Sequence, residues 1–232
     1  MKNQNYYQEN AKSLGWGEGR LDNERIQIIH KFVKGKRVLD VGCGMGAYVD
    51  YLSKYGFEAY GVDFVPEFIE SAKKGQGTFV KATADKLPFK DQSFETVLLF
   101  DIIEHGDDLK ILKEASRVGE RLIVIVPRIV DQSLSETGVI FKHYIDKSHL
   151  REYSEVDLKN LAKKLNLKVV HLQKVQLLPN FAVFAALFKG SNLFFKAIGK
   201  ILFLPFLRKD YFTEFLVVLD KQTSKSQSRI KG

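Results

Sequence analysis

At 232 residues, 45% of them hydrophobic, the chain is long enough to bury one sizeable core. Its single cysteine excludes an intramolecular disulfide and leaves nothing from which to build a cysteine metal cluster. A formal charge of +8 suits an anionic partner such as nucleic acid or a lipid surface, but a lysine-rich composition gives the same sum and identifies no partner. The first ten residues are polar and lack the apolar core of a signal peptide, so a cytoplasmic location is expected.

Residues 3–13 and 22–33 read as two helices, the first placed to act as a lid, within an N-terminal region of 1–34. From 37 to about 126, short apolar runs alternate with helical patterns. Strands are expected at 37–41, 58–62, 78–81, 95–100 and 121–126, and helices at 47–55, 66–74 and 107–118. This alternation predicts an α/β fold, a doubly wound, mostly parallel sheet with helices on both faces. Right-handed crossovers line the strand C-termini along one edge, where ligands bind. The connection over 127–153 is long, and in a compact domain such a connection is more often functional than idle. A helix follows at 154–165, with Ser154 as N-cap and Asp157 three residues on, a weaker form of the capping box.

Strand-like runs at 167–177 and 215–219 flank an apolar helical insertion at about 179–209. In it Lys189, Asn192, Lys196 and Lys200 form one helical stripe on a wide apolar background. The longest uninterrupted apolar run, 181–188, is far too short for a bilayer core of about 30 Å. Three destinations are open for 181–207. They are a membrane surface, with lysines toward anionic head groups, a homodimer contact or cover over the substrate, and the domain's own core. The tail, 221–232, is polar, basic and expected to be disordered.

Val38-Leu39-Asp40-Val41-Gly42-Cys43-Gly44-Met45-Gly46 joins a buried-strand pattern to three alternating glycines and then a helix start. Such a turn lets a ligand approach bare backbone. No Gly-Lys-Ser/Thr follows, so this is no phosphate-binding Walker loop, and the spacing is not the Gly-x-Gly-x-x-Gly of dinucleotide sites. Asp63 ends the second strand, where a carboxylate accepts hydrogen bonds from two ribose hydroxyls and repels a phosphate on that ribose. The ligand reads as a nucleoside without a required pyrophosphate.

The stretch VLDVGCGMGAYVDYL resembles motif I of the class I S-adenosylmethionine-dependent methyltransferases. The resemblance continues through GVDFVPEFIESAK, ATADKLPFKDQSFETVLLFDIIEH and HYIDKSHLREYS, over roughly residues 35–170. It is to the type 11-like small-molecule enzymes, with some similarity to the quinone-biosynthesis O-methyltransferases. It implies a seven-stranded Rossmann-like sheet over 35–220, with S-adenosylmethionine as donor. Gly42, Gly44 and Gly46 would pass close to the methionyl part, and Asp40 would orient its amino group. Asp63 would hold the ribose hydroxyls, with Phe64 against the adenine. Asp85 would accept the adenine amino hydrogen, the Ala84 backbone would meet the ring edge, and the Phe100 carbonyl would face the ammonium. Arg20 or Arg25 is a candidate for the cofactor carboxylate, while Cys43 reads as a small buried filler.

The acceptor is a separate question. An oxygen acceptor benefits from a base, and His105 and His149 are the candidates near the ligand edge, with His143 and Tyr144 ranked below them and His30 and His171 assigned to surface or packing. Asp101, Glu104 and His105 have the i, i+3, i+4 spacing of one helix face and, with His149, make a candidate oxygen/nitrogen metal site. Asp101 departs from the Glu-x-x-Glu-His pattern of metal-using relatives in quinone biosynthesis and small-RNA 2′-O-methylation, so no metal ligand is assigned and a divalent metal is not expected. The expected reaction is methyl transfer to a small-molecule or lipid-linked acceptor at oxygen, in the cytoplasm or peripheral to the inner face of the membrane. The rivals are an RNA methyltransferase and a non-catalytic S-adenosylmethionine-binding module. Nucleic acid is disfavoured because no Asn/Asp-Pro-Pro-Tyr motif is present and the lysines are dispersed.

Overall fold

The computed structural model describes residues 6, 21–129, 148–178 and 211–222. The expected lid helix at 3–13 (Tyr6 aside), Arg20, His143, Tyr144, the insertion and the tail lie outside them. Helix α1 (Asn23–Phe32) precedes β1 (Arg37–Val41), α2 (Ala47–Lys54), β2 (Glu58–Asp63), α3 (Pro66–Ala72) and β3 (Thr78–Lys81). Then come β4 (Phe94–Phe100), a 3₁₀ turn (Ile103–His105), α4 (Asp108–Val118), β5 (Gly119–Pro127), α5 (Glu155–Lys164), β6 (Leu167–Leu178) and β7 (Tyr211–Lys221). The seven strands form one sheet in the order β3-β2-β1-β4-β5-β7-β6. The first five are parallel, and β7 runs antiparallel between β5 and β6.

Both faces of the central strands are buried, and the two-residue strand period divides their side chains between two cores. Leu39, Val97, Leu99, Leu122, Val124 and Val217 pack with α4 and α5, whereas Val38, Leu98, Ile123 and Leu216 pack with α1, α2 and α3. The helices start where the sequence supplies caps. Asp22 accepts from the Arg25 N–H, Asp107 from the Lys110 N–H, and Ser154 with Asp157 forms a full capping box. Arg121 is buried in a bidentate pair with Asp220 at 2.7 and 2.8 Å, and it also donates to the Phe32 carbonyl at 3.0 Å. One guanidinium thereby ties the end of α1 to β5 and β7.

Candidate active site

The C-terminal ends of β1, β2 and β4 lie side by side, and they carry most of the expected cofactor residues. Gly42, Gly44 and Gly46 all adopt positive φ, at 76°, 52° and 84°. A Cβ on Gly42 would overlap Ile102, and one on Gly46 would come within 2.6 Å of Phe79. At Gly44 an added Cβ would meet nothing within 4 Å among the described residues, so this glycine faces the open side of the turn. The Gly42 and Cys43 N–H groups both donate to the Val62 carbonyl, which pins the turn to β2. Cys43 is buried, as a filler should be, and burial pushes its thiol upward.

Asp63 accepts from the Gly44 N–H at 3.0 Å and the Val65 N–H at 2.9 Å. Burial raises its pKa, against the pull of these backbone donors. Phe64 follows it, half-buried. Asp40 is 3% exposed, and its Oδ2 has no hydrogen-bond partner among the described residues. Burial, then the neighbouring Asp63, push its pKa up to about 7, with Arg25 opposing. A buried carboxyl of this kind is incomplete until a donor arrives.

The Thr83–Lys86 bridge and the Lys86 N–H to Thr83 carbonyl bond at 3.1 Å make a turn with Ala84 and Asp85 at its tip. Asp85 is exposed. The following loop is held by two residues that the sequence reading did not single out. Glu114 accepts from the Leu87 N–H at 2.8 Å, and Arg117 donates to the Leu87 and Phe89 carbonyls and to Asp91. Their i, i+3 acidic–basic spacing on α4 was the available signal, but nothing local says that the pair serves a loop rather than solvent.

Phe100 ends β4, with Tyr48 edge-on at 5.6 Å between ring centroids and the Arg25 guanidinium 5.5 Å from its centroid. Arg25 is paired with two carboxylates of the protein itself. Its Nη2 pairs with Asp101 at 2.6 Å and with Glu214 of β7 at 3.2 Å. Burial, then Asp101, raise the Glu214 pKa to about 8, against the pull of Arg25.

The same pairing corrects the expected helix face of Asp101, Glu104 and His105. Asp101 has φ 56°, outside any helix, and only Ile103–His105 form a 3₁₀ turn. Asp101 therefore pairs with Arg25, while Glu104 and His105 meet His149. The Glu104, His105 and His149 ligand atoms lie within 4.8 Å of one another, and the two imidazole centroids are 4.9 Å apart. Glu104 is fully buried, and neither carboxylate oxygen has a partner among the described residues. Burial and then Asp101 hold its pKa well above the usual carboxylate range. Ser148 sits 2.9 Å from His105 Nδ1. Among the described residues the two other histidines play the expected surface or packing parts, with His30 on Tyr51 and His171 against Phe32.

Residues 39–121 match the family model described as a methyltransferase domain. An uncharacterized methyltransferase of Bacillus subtilis, YcgJ, is 30% identical over 169 residues, spanning 66% of this chain and 67% of that protein. The chain belongs to the S-adenosylmethionine-dependent methyltransferase family. Norajmaline N-methyltransferase of Rauvolfia serpentina is 37% identical over 95 residues, which cover 37% of this chain and about a third, 32%, of that enzyme. A crystal structure of an S-adenosylmethionine-dependent methyltransferase from Archaeoglobus fulgidus superimposes with a TM-score of 0.63 at 20% identity, covering 93% of this chain and 99% of that one. It shares the fold of this methyltransferase, the doubly wound seven-stranded sheet expected from the sequence.

Proposed function

We propose that this methyltransferase transfers the methyl group of S-adenosylmethionine to an oxygen of a small-molecule or lipid-linked acceptor, with His105 and His149 handling the acceptor proton. The observation that carries this reading is the approach of the two imidazoles at the exit of β4, the edge that also holds Asp40 and Asp63. The glycine turn and Asp40 would take the methionyl end, Asp63 the ribose, Phe64, Ala84 and Asp85 the adenine, and the Phe100 carbonyl the ammonium. An imidazole removes the proton as the acceptor oxygen attacks the methyl carbon. In the same step the carbon–sulfur bond breaks with its electron pair going to sulfur, which leaves the methyl ether and S-adenosylhomocysteine. The imidazolium returns its proton to water.

The acceptor class rests on the insertion's composition and on where its flanks emerge. Leu178 and Tyr211 pair with each other, and three residues further along β7 Glu214 pairs with Pro127, at the end of β5. The insertion thus leaves the sheet on the ligand edge, which suits an acceptor with an apolar tail and an enzyme working at the inner membrane face. No helix among the described residues is long and apolar enough to cross a membrane.

The test is a panel of phenolic, catecholic and polyprenyl-linked acceptors with radiolabelled donor, using wild type and the His105→Gln/His149→Gln double variant. Loss of about 10²–10⁴-fold in rate with unchanged S-adenosylhomocysteine binding is expected. Undiminished turnover by the double variant would remove both bases. Methylation of RNA alone, or binding without transfer to any acceptor, would favour the rival readings.

Glu104 favours a second reading. Two imidazoles and one carboxylate suit Zn²⁺ or Mn²⁺, and the orphaned Glu104 oxygens fit such an ion. A bound ion would supply Lewis acidity to an acceptor oxygen there. Visible absorption of a stoichiometric Co²⁺ complex, lost in Glu104→Gln, is expected on this reading, and its absence at millimolar Co²⁺ would dismiss it.

A further inference from the structure

His149 arrives from a segment with no regular secondary structure, yet it is set against His105. Several attachments hold that segment. The Leu150 N–H donates to the Glu104 carbonyl at 2.9 Å, the Tyr153 N–H donates to the Pro127 carbonyl at 3.0 Å, and the Ile129 N–H donates to the Tyr153 carbonyl at 3.1 Å. A side-chain anchor comes from Asp108, the first residue of α4. Its Oδ2 accepts from Arg151 Nη1 at 2.7 Å and from the Tyr153 hydroxyl at 3.3 Å, while its Oδ1 accepts the Leu109 N–H at 2.7 Å. Asp108 is 6% exposed and Tyr153 2%, while the Arg151 side chain is 41% exposed. Ser148 and His149 sit just upstream, one 2.9 Å from His105 Nδ1 and the other ring-to-ring with it.

We infer that Asp108 is a positioning residue for methyl transfer. By gathering Arg151 and Tyr153 it sets the 148–153 segment in register, which delivers Ser148 and His149 to His105 and Glu104. The inference rests on the proposed role of the two histidines. The argument is geometric. Backbone bonds at Leu150 and on both sides of Tyr153 fix the path of the segment. Asp108 adds a side-chain anchor between them, because a buried carboxylate at a helix N-terminus is a fixed point that Arg151 and Tyr153 both reach. An error of about 1 Å in such a group is enough to cost two orders of magnitude in rate.

The test uses the full-length protein with ¹³C-labelled histidine, whose five ring signals are assigned by single His→Gln variants. Asp108→Asn and Arg151→Ala should each move the His105 and His149 signals and their pH titration. The His30 and His171 signals and S-adenosylhomocysteine affinity should stay unchanged. Arg151→Lys should restore the wild-type positions in large part. Unmoved His105 and His149 signals in Asp108→Asn would overturn the inference, as would equal movement of all five signals, which marks a merely structural role. If the His105→Gln/His149→Gln enzyme keeps full turnover, the proposed bases fail on their own, whatever the spectra show.

Discussion

Replacing Asp40 by Asn should make the free protein more stable and the cofactor complex weaker. With its pKa moved from 3.8 to about 7, the Asp40 carboxyl costs folding free energy whenever it is ionised. At about 1.4 kcal/mol per unit, the cost reaches about 4–5 kcal/mol above pH 7, an upper bound because the amide of Asn must also be satisfied. The penalty vanishes only well below the unfolded value of 3.8, where both folded and unfolded chains hold the proton; it is small at pH 4 and grows as pH rises to 7. The stabilisation by Asp40→Asn is therefore expected at pH 8 and small at pH 4. The groups facing Asp40 are Asp63 from β2, Arg25 from α1, Cys43 in the turn and Tyr48 on α2. If the ionised form receives the cofactor ammonium, S-adenosylhomocysteine should bind about tenfold more weakly at pH 6 than at pH 8, following the ionised fraction. Calorimetry against 5′-methylthioadenosine isolates the effect, because that nucleoside keeps the ribose held by Asp63 and lacks the amino-acid end. Its affinity should be nearly flat over this range, and Asp40→Asn should flatten the other. An equal pH slope for both nucleosides, or a slope that survives the substitution, would refute the reasoning. Glu214, raised to about 8, titrates in a higher window and remains in the variant.

Gly42→Ala combines a φ of 76° with overlap on Ile102, so a loss of at least about 1–2 kcal/mol and a collapse of donor binding should appear in thermal melts and calorimetry. Asp63→Ala should weaken both S-adenosylhomocysteine and 5′-methylthioadenosine, and an effect confined to the former would misplace the ribose. Arg121→Ala leaves Asp220 and the Phe32 carbonyl without their buried partner, and should cost about 3–5 kcal/mol in urea unfolding with little change in the donor site's chemistry.

The sheet was legible because each parallel strand is a short apolar run between turn signals, and the observed strands fall on those runs within about two residues except β7, which is longer at both ends. Before Phe215 the apolar run is broken by Thr213 and Glu214, so the run caught only the strand's centre. The glycine turn, Asp40 and Asp63 were legible because spacing places them at adjacent strand ends. Asp101 was misread because i, i+3, i+4 spacing was taken for a helix, whereas Asp101 is a left-handed residue at the strand exit and pairs with Arg25, outside the Glu104–His105–His149 group. Arg25, Asp101 and Glu214 could not be grouped from sequence, since no local pattern joins residues on three separate elements. The same holds for Asp108 and Arg151.

The Arg25 cluster has a consequence for the order in which the molecule comes into being. Arg25 and Glu214 are separated by 189 positions, and their contact joins α1 to a strand that lies between β5 and the edge strand β6. On a ribosome the glycine turn and Asp63 emerge long before β7 does. The tie between α1 and the ligand edge of the sheet therefore forms only after β7 has been made, later than the strands that carry the glycine turn and Asp63.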